Sequence, residues 1–459
     1  MDKKNILGLS LVVVAVFFVF LGITIVHQLN KPEDVLTNEM DATIMWAENN
    51  ELTVQDSNHM IYTFLNTGIE ADVGSNIHLE YTGVLNRNQP LQDSEIVSYE
   101  ISPLSYDENG ISTDWLDHGI FSNYYILASR KLKEMTLDEK IAQLLLVRYP
   151  DKNAVEILKK YQFGGYVFFE KDFKDKIPEE VQGMMAELQD VSKIPILTAV
   201  DEEGGKVVRV SSNPKLRSEK FKSSQELYKE GGFDLIKKDT IEKSNLLHRL
   251  GINLNLAPVV DVSTNSSDYM YDRTIGENTE ITSTYAKTVI EASKDLGVSY
   301  VLKHFPGYGN NADTHYDSSV DNRSYEDLLN NDLPPFKSGI ASGAEAILIS
   351  HNTVNSIDKS NPASLSPGVH NLLRGEMGFT GIIITDDLAM GAVSSIADVT
   401  QKALLAGNDI IITTDYEGSF NAIKDALQKG TIDESLINKL AFRNIAWKYY
   451  KGLMYDTQK

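Results

Sequence analysis

Short apolar strands alternate with helices from about residue 131 to residue 459. That pattern predicts an α/β domain closed as a (β/α)8 TIM-like barrel. Two further observations complete the architecture. Residues 41–102 change to short alternating segments, which predict a small all-β, OB-like domain. Residues 6–26 form an apolar, charge-free run behind Lys3 and Lys4, which predicts an N-terminal transmembrane helix within residues 1–30.

The apolar run has the length of a bilayer-spanning helix. The lysines before it favour a cytoplasmic N-terminus, with the rest of the chain outside the cell membrane as a single-pass protein. A cleaved signal peptide is the rival, and only Gly22 and Thr24 offer small residues at a suitable spacing. A polar tether follows over residues 31–39. Strands are then expected around Ile44-Met45-Trp46, Leu52-Thr53-Val54 and Ile61-Tyr62-Thr63-Phe64. Two more follow where Ile77, Leu79 and Tyr81, then Val97, Tyr99 and Ile101, alternate with polar residues. No aromatic-plus-basic cluster marks a ligand face on this domain, so it reads as a spacer. Residues 103–130 read as a linker.

The barrel domain, residues 131–459, opens on Thr136-Leu137-Asp138-Glu139, the pattern of a capping box. Strands are expected at residues 145–148, 165–169, 196–200, 252–262, 300–303, 344–350, 381–385 and 409–413. Most are apolar on both faces, as in a parallel sheet covered by helices. Helices are expected between them, for example over residues 282–296 and 418–428. A doubly wound open sheet would bring a Gly-rich phosphate turn after its first strand, and none is present.

The composition narrows the function. The net charge of -22 argues against a nucleic-acid partner and against broad docking on anionic lipid. The chain has no cysteine, which excludes disulfides, thiolate metal sites and thiol nucleophiles. No metal triad and no cofactor motif stands out.

Polar residues recur where the barrel strands end. The third strand runs into Asp201-Glu202-Glu203-Gly204-Gly205-Lys206-Val207-Val208-Arg209. The fourth leads to Asp261, with Arg273 downstream. The fifth carries Lys303 and His304, the sixth His351, and the seventh Asp386 and Asp387. One acid after a strand is commonly a helix N-cap. Charge after five successive strands is not explained by packing, because burying it unpaired is costly. Such a layer suits a polyhydroxylated ligand. Cleaving a glycoside needs one group to protonate the leaving oxygen and a carboxylate to attack, or to activate water. Asp386 is the candidate for attack. His315, two residues from Asp313, is the candidate acid/base.

Four segments, in order, resemble glycoside hydrolase family 3, within its β-N-acetylhexosaminidase branch that trims peptidoglycan fragments. They are the stretch from Asp201 to Arg209, Asn255-Leu256-Ala257-Pro258-Val259-Val260-Asp261-Val262, Lys303-His304-Phe305-Pro306-Gly307-Tyr308-Gly309, and Thr385-Asp386-Asp387-Leu388-Ala389-Met390. The resemblance covers about residues 135–454 and leaves the β-rich segment out. It implies that Asp386 is a nucleophile forming a covalent glycosyl-enzyme, with His315 as acid/base and Asp313 tuning it. It implies that Asp201, Arg209, Arg273, Lys303 and His304 hold an N-acetylated sugar. A loop-borne acid also fits the expectation that no second α/β domain follows the barrel. Three departures stand out. Thr274-Ile275 replaces a frequent Ser-Phe, Tyr308 stands where His is frequent, and Thr314 stands where Ser is common. Asp387 reads as structural or an N-cap rather than a second nucleophile, Glu203 as a brace for the Gly204-Gly205 turn, and Tyr308 as packing or a pocket wall rather than an acid. His351 is open between lining the pocket and supporting it.

The implied activity is exo-acting, retaining removal of terminal β-linked N-acetylglucosamine (GlcNAc), with a carbohydrate or muropeptide as the partner and no cofactor. A phosphorylase using the same intermediate and a non-catalytic cell-wall-binding protein are the alternatives.

Overall fold

The computed structural model describes residues 25–28, 37–48, 50–56, 60–71, 75–85, 91–92, 94–102, 112, 115, 117, 119–309, 311 and 319–455. The chain divides into two compact units, Met1–Trp115 and Leu116–Lys459.

The first unit contains one seven-stranded sheet. Its strands are β1 (Ile25–Gln28), β2 (Thr37–Glu48), β3 (Glu51–Asp56), β4 (Ile61–Leu65), β5 (Asn76–Thr82), β6 (Leu91–Gln92) and β7 (Ile96–Ser102). Their order is β1-β7-β5-β2-β3-β4-β6. The expected segments are strands, and their alternation is visible in burial: Ile77, Leu79 and Tyr81 are buried, while His78 points to solvent. Leu52, Val54, Phe64, Ile77 and Leu79 form the core. The OB-like barrel is corrected. Among the described residues the outer strands β1 and β6 do not pair with each other, so the sheet has two edges. The expected tether, residues 31–39, gives way to β2 at Thr37, and its residues 31–36 lie outside the described residues.

The expected membrane segment, residues 6–26, lies outside the described residues except for Ile25 and Val26. Those two are extended, in register with Ile101 and Glu100, and are not helical as expected. No helix among the described residues is long and apolar enough to cross a membrane.

The second unit is built on eight parallel strands. They are β8 (Leu145–Arg148), β9 (Gly165–Phe168), β10 (Leu197–Val200), β11 (Leu254–Asn255), β12 (Ser299–Phe305), β14 (Ala346–Ile349), β16 (Ile382–Thr385) and β17 (Ile411–Thr413). Their order is β16-β14-β12-β11-β10-β9-β8-β17. A parallel bridge between Ile384 and Ile410, with Thr385 N–H donating to the Ile410 carbonyl at 3.0 Å, joins the two ends and closes the barrel. Nearly all of these strand residues are buried, as expected for strands covered by helices. Two short strands, β13 (Val320–Asp321) and β15 (Thr353–Val354), pair separately beside the barrel.

Local sequence sets the helices. Thr136 caps Leu137–Gln143 in the expected capping box, with Glu139 returning a carboxylate to the Thr136 N–H at 2.8 Å. Ser223 and Glu226 cap the long helix Ser224–Arg249 in the same way, and Gly232 kinks it. The helices expected over residues 282–296 and 418–428 are Thr279–Ser293 and Tyr416–Lys429. The fourth barrel strand is much shorter than expected. Pro258 has no N–H to donate, and pairing with β12 continues only irregularly, through Val260 N–H to the Lys303 carbonyl at 2.8 Å.

Candidate active site

The C-terminal ends of the barrel strands carry a buried chain of charges. Lys303, on β12, donates to Asp201 at 2.7 Å and lies 2.8 Å from Glu203. Arg273 grips Glu203 with two bonds, Nε at 3.0 Å and Nη2 at 2.6 Å. Arg209 Nη2 reaches the second Asp201 oxygen at 3.3 Å. His304 meets Asp261 through Nδ1 at 2.8 Å, and its Nε2 lies 3.5 Å from Arg273. Asp261 can only accept, so Nδ1 donates and Nε2 faces the guanidinium. Arg209, Asp201, Lys303, Glu203, Arg273, His304 and Asp261 are therefore linked without a break.

Three cations and three carboxylates balance one another in this chain. Burial would raise the Asp201 carboxyl, but Lys303 and Arg209 beside it hold it well below the usual range. Burial opposes ionisation of Glu203 too, and Arg273 and Lys303 bring it down to about 2. Burial would lower Lys303, and Asp201 and Glu203 raise it instead. The network is thus charged and fixed before any ligand arrives, the condition for electrostatic preorganisation.

The surrounding elements hold these groups in place. Glu202 is fully buried and accepts from the N–H groups of Arg209, Val210 and Ser211 at 2.7, 2.7 and 3.2 Å. It shapes the turn that presents Arg209. Lys243, from the helix Ser224–Arg249, donates to the Glu203 carbonyl at 3.1 Å. The register between β12 and β14 slips between Leu302 and Phe305. The consecutive residues Lys303 and His304 both reach the network. The Ala257–Pro258, Lys303–His304 and Phe305–Pro306 peptide bonds are cis. Arg209 also borders an open cleft of about 630 Å³ lined by Phe169, Lys174, Ser212 and Asn213. Phe169 lies between two guanidinium groups, with Arg148 3.6 Å and Arg209 4.9 Å from its ring centre.

Asp386 follows β16 on the same rim and is differently placed. Its Oδ1 accepts the Asp387 N–H at 2.9 Å. Among the described residues no Lys, Arg or His pairs with it. A carboxylate held by a cation is a weaker nucleophile, so this isolation suits attack. Asp387 is structural, as expected. It accepts from Ala389 N–H at 2.9 Å and from the Thr414 hydroxyl at 2.7 Å. His351 makes the contacts expected of a support. Its Nε2 donates to the Asp387 carbonyl at 3.0 Å, and its Nδ1 lies 2.7 Å from the Ser364 hydroxyl. Tyr308 is buried against Tyr269 and His304, which fits packing. Asp313 and His315 lie outside the described residues.

One acid departs from its expected role and its neighbour had none. Glu203 belongs to the charge network, and Glu202 is the brace. The missed signal was charge balance: three cations, Arg209, Arg273 and Lys303, stand beside one carboxylate, Asp201, among the residues expected to hold the sugar. Asp261 was noted at its strand end but not as the partner of His304. Among the described residues no cluster of His, Asp or Glu could hold a metal ion.

Known proteins share this arrangement's framework. A "Beta-hexosaminidase" of Xylella fastidiosa strain M23 is 28% identical over 315 residues, covering 66% of this chain and 91% of the relative. "Beta-hexosaminidase LpqI" of Mycobacterium tuberculosis is 29% identical over 320 residues, covering 66% and 81%. Among solved structures, a family 3 β-N-acetylglucosaminidase from Paenibacillus sp. FPU-7 superposes with a TM-score of 0.64 at 27% identity. That match covers 71% of this chain and 65% of the other. Residues 136–446 match the N-terminal domain of glycosyl hydrolase family 3. The chain therefore belongs to glycosyl hydrolase family 3 and is a glycoside hydrolase.

Proposed function

We propose that the chain is an exo-acting, retaining β-N-acetylglucosaminidase that removes terminal β-linked GlcNAc from peptidoglycan fragments. The observation that carries this reading is the unpaired Asp386 carboxylate beside a rim whose other charges are tied to one another. Asp201, Arg209, Arg273, Lys303 and His304 hold the sugar by charge-assisted hydrogen bonds to its hydroxyl and acetamido groups. Asp386 attacks the anomeric carbon, and His315, supported by Asp313, gives its proton to the leaving oxygen. The same imidazole then takes a proton from the water that releases the sugar. The names of the relatives supply the substrate class, and the family resemblance supplies the acid/base pair. The lysine-led apolar run supports a membrane anchor with the barrel outside the cell.

The test is turnover of aryl glycosides of GlcNAc and of glucose by the full chain, with the product anomer followed by NMR. Preferred cleavage of the GlcNAc glycoside with initial release of the β-anomer is expected. Initial release of the α-anomer, or faster cleavage of the glucoside, contradicts the reading. Sugar 1-phosphate formed in added phosphate marks a phosphorylase instead. His315→Ala should lower kcat/KM most for aglycones that leave poorly, because good leaving groups need little protonation.

A further inference from the structure

The open cleft beside Arg209 lies outside the charge network and shares that one residue with it. Two walls form it. One is the segment leaving β9, from Phe169 to Asp175, and the other is Ser212-Asn213-Pro214. Buried Asn213 joins the walls. Its Nδ2 donates to the carbonyls of Phe173 and Lys176 at 2.8 and 2.7 Å, and its Oδ1 accepts the Lys215 N–H at 3.0 Å. Asp172 fixes the start of the first wall by accepting the Phe169 N–H at 2.7 Å. The cleft is therefore a built feature of the rim, and its volume of about 630 Å³ lies within the roughly 300–1,000 Å³ of small-molecule sites.

Its place on the rim is set by the strand order. β10 and β16 stand four strands apart in either direction round the closed barrel, so the Asp201–Arg209 stretch faces Asp386 across the barrel mouth. A pyranose whose C1 meets Asp386 turns C4, the atom across the ring, toward Arg209 and the cleft behind it. Arg209 has donors to spare. Arg273 ties two of its donors to Glu203. Among the described residues the Arg209 guanidinium makes one hydrogen bond, to Asp201 at 3.3 Å, and its Nε has no partner. The lining carries both signs of charge, with Lys174 and Arg209 as donors and Glu170 and Asp175 as acceptors. Such a mixture suits hydroxyls, which donate and accept, better than an ion of one sign.

We propose that the cleft is a second glycosyl subsite, taking a neutral sugar joined to C4 of the GlcNAc whose C1 meets Asp386. The chain then frees a disaccharide from the end of a glycan as well as a single residue. The inference rests on the reading of Asp386 as nucleophile and Arg209 as a sugar-holding residue, and it goes beyond the removal of single residues. The bond cut is the same. C1 exchanges its aglycone oxygen for the Asp386 carboxylate, and that oxygen gains a proton from the acid/base. Water then supplies a hydroxyl to C1 and a proton to the acid/base. What changes is the set of glycans that fit.

The test is cleavage by the full chain of two aryl glycosides: aryl β-GlcNAc, and the same glycoside with a β-galactosyl residue on its O4. An enzyme that removes only GlcNAc cannot take off the outer galactose, so aryl release from the second substrate requires both subsites to be filled. Aryl alcohol and intact disaccharide should form together, with kcat/KM within about 10-fold of the simple glycoside. Lys174→Trp and Pro214→Trp fill the cleft from its two walls. Both residues are exposed, so the melting temperature should not change. Each variant should lower kcat/KM on the disaccharide substrate by about 10-fold or more, mainly through KM, and leave aryl β-GlcNAc within about twofold. Cleavage of aryl β-GlcNAc with no disaccharide from the other substrate would overturn the proposal and leave the reading of Asp386 standing. Equal losses on both substrates, or no loss in either variant, would overturn it too. Turnover of neither substrate by the wild type would end the reading of the site, and this inference with it.

Discussion

The two ends of the barrel both bury charge, and they use it differently. At the C-terminal ends of the strands, cations meet carboxylates: Lys303 with Asp201 and Glu203, and Arg273 with Glu203. At the N-terminal ends, cations mostly meet backbone carbonyls. Arg443, from the final helix Glu434–Tyr450, donates to the carbonyls of Thr380 and Gly381 at 2.8 and 2.9 Å. Arg374 reaches those of Phe379 and Gly381 at 2.9 and 2.6 Å. Lys448 reaches Gly164 at 3.0 Å, and Lys451 reaches Asn253 at 2.8 Å. Asp409 and Asp117 balance the two arginines. The lower end supplies charged donors to backbone carbonyls beside the strands, a contribution to stability. The upper end ties charged groups to one another on the rim that also carries Asp386, which among the described residues pairs with no cation, a contribution to chemistry. In such barrels the C-terminal face carries function and the opposite face stability.

The comparison breaks first at Asp386. Asp386→Ala should cut kcat by roughly four orders of magnitude or more, with an unchanged melting temperature. Arg443→Met should do the reverse. It takes one of two guanidinium partners from Asp409 and the Arg443 contact from Asp117, and urea unfolding should show a loss of about 3–5 kcal/mol. Activity per folded molecule should stay near wild type. Glu203→Gln should affect both properties, because Glu203 holds Arg273 and Lys303, two cations proposed to bind the sugar. We expect about a 100-fold loss in kcat/KM. Its carboxyl is lowered to about 2 in the fold. The stability it gives is therefore complete above its ordinary carboxyl range and lost as pH falls from there toward 2. The variant should lack that part of the acid unfolding, measured as melting temperature against pH.

Lys448 gives the smallest expected effect. Burial lowers its ammonium to about 7. The unfolded chain then binds more protons between that value and the ordinary lysine range. Stability should rise with pH across this window, no more steeply than about 1.4 kcal/mol per pH unit. Lys448→Met should flatten the slope. An unchanged slope would remove Lys448 from the account of the lower end.

The upper end was largely legible in the sequence, and the lower end was not. Lys303, His304, Asp201 and Asp386 fall within contiguous motifs at strand ends, where polar residues interrupt apolar runs. Arg443 and Lys448 sit in a helix whose partners are 34 to 326 residues away in sequence, so no local pattern announces them. The same distance hid Glu203, whose partner Arg273 is 70 residues on. Strand positions were legible because burial on both faces leaves unbroken apolar runs. The length of β11 was overestimated because apolar residues continue past Pro258, where the ladder loses a donor. The small β unit showed its strands through alternation, but alternation alone does not determine whether a sheet closes.

Covalent capture by a fluorinated N-acetylglucosaminyl fluoride, followed by peptide mapping, tests the central claim most directly. Among the carboxylates of the upper rim, only Asp386 should carry the sugar, and Asp386→Ala should abolish labelling while leaving ligand binding intact. Labelling of Asp201 or Glu203, or labelling that persists in the Asp386 variant, would contradict the account.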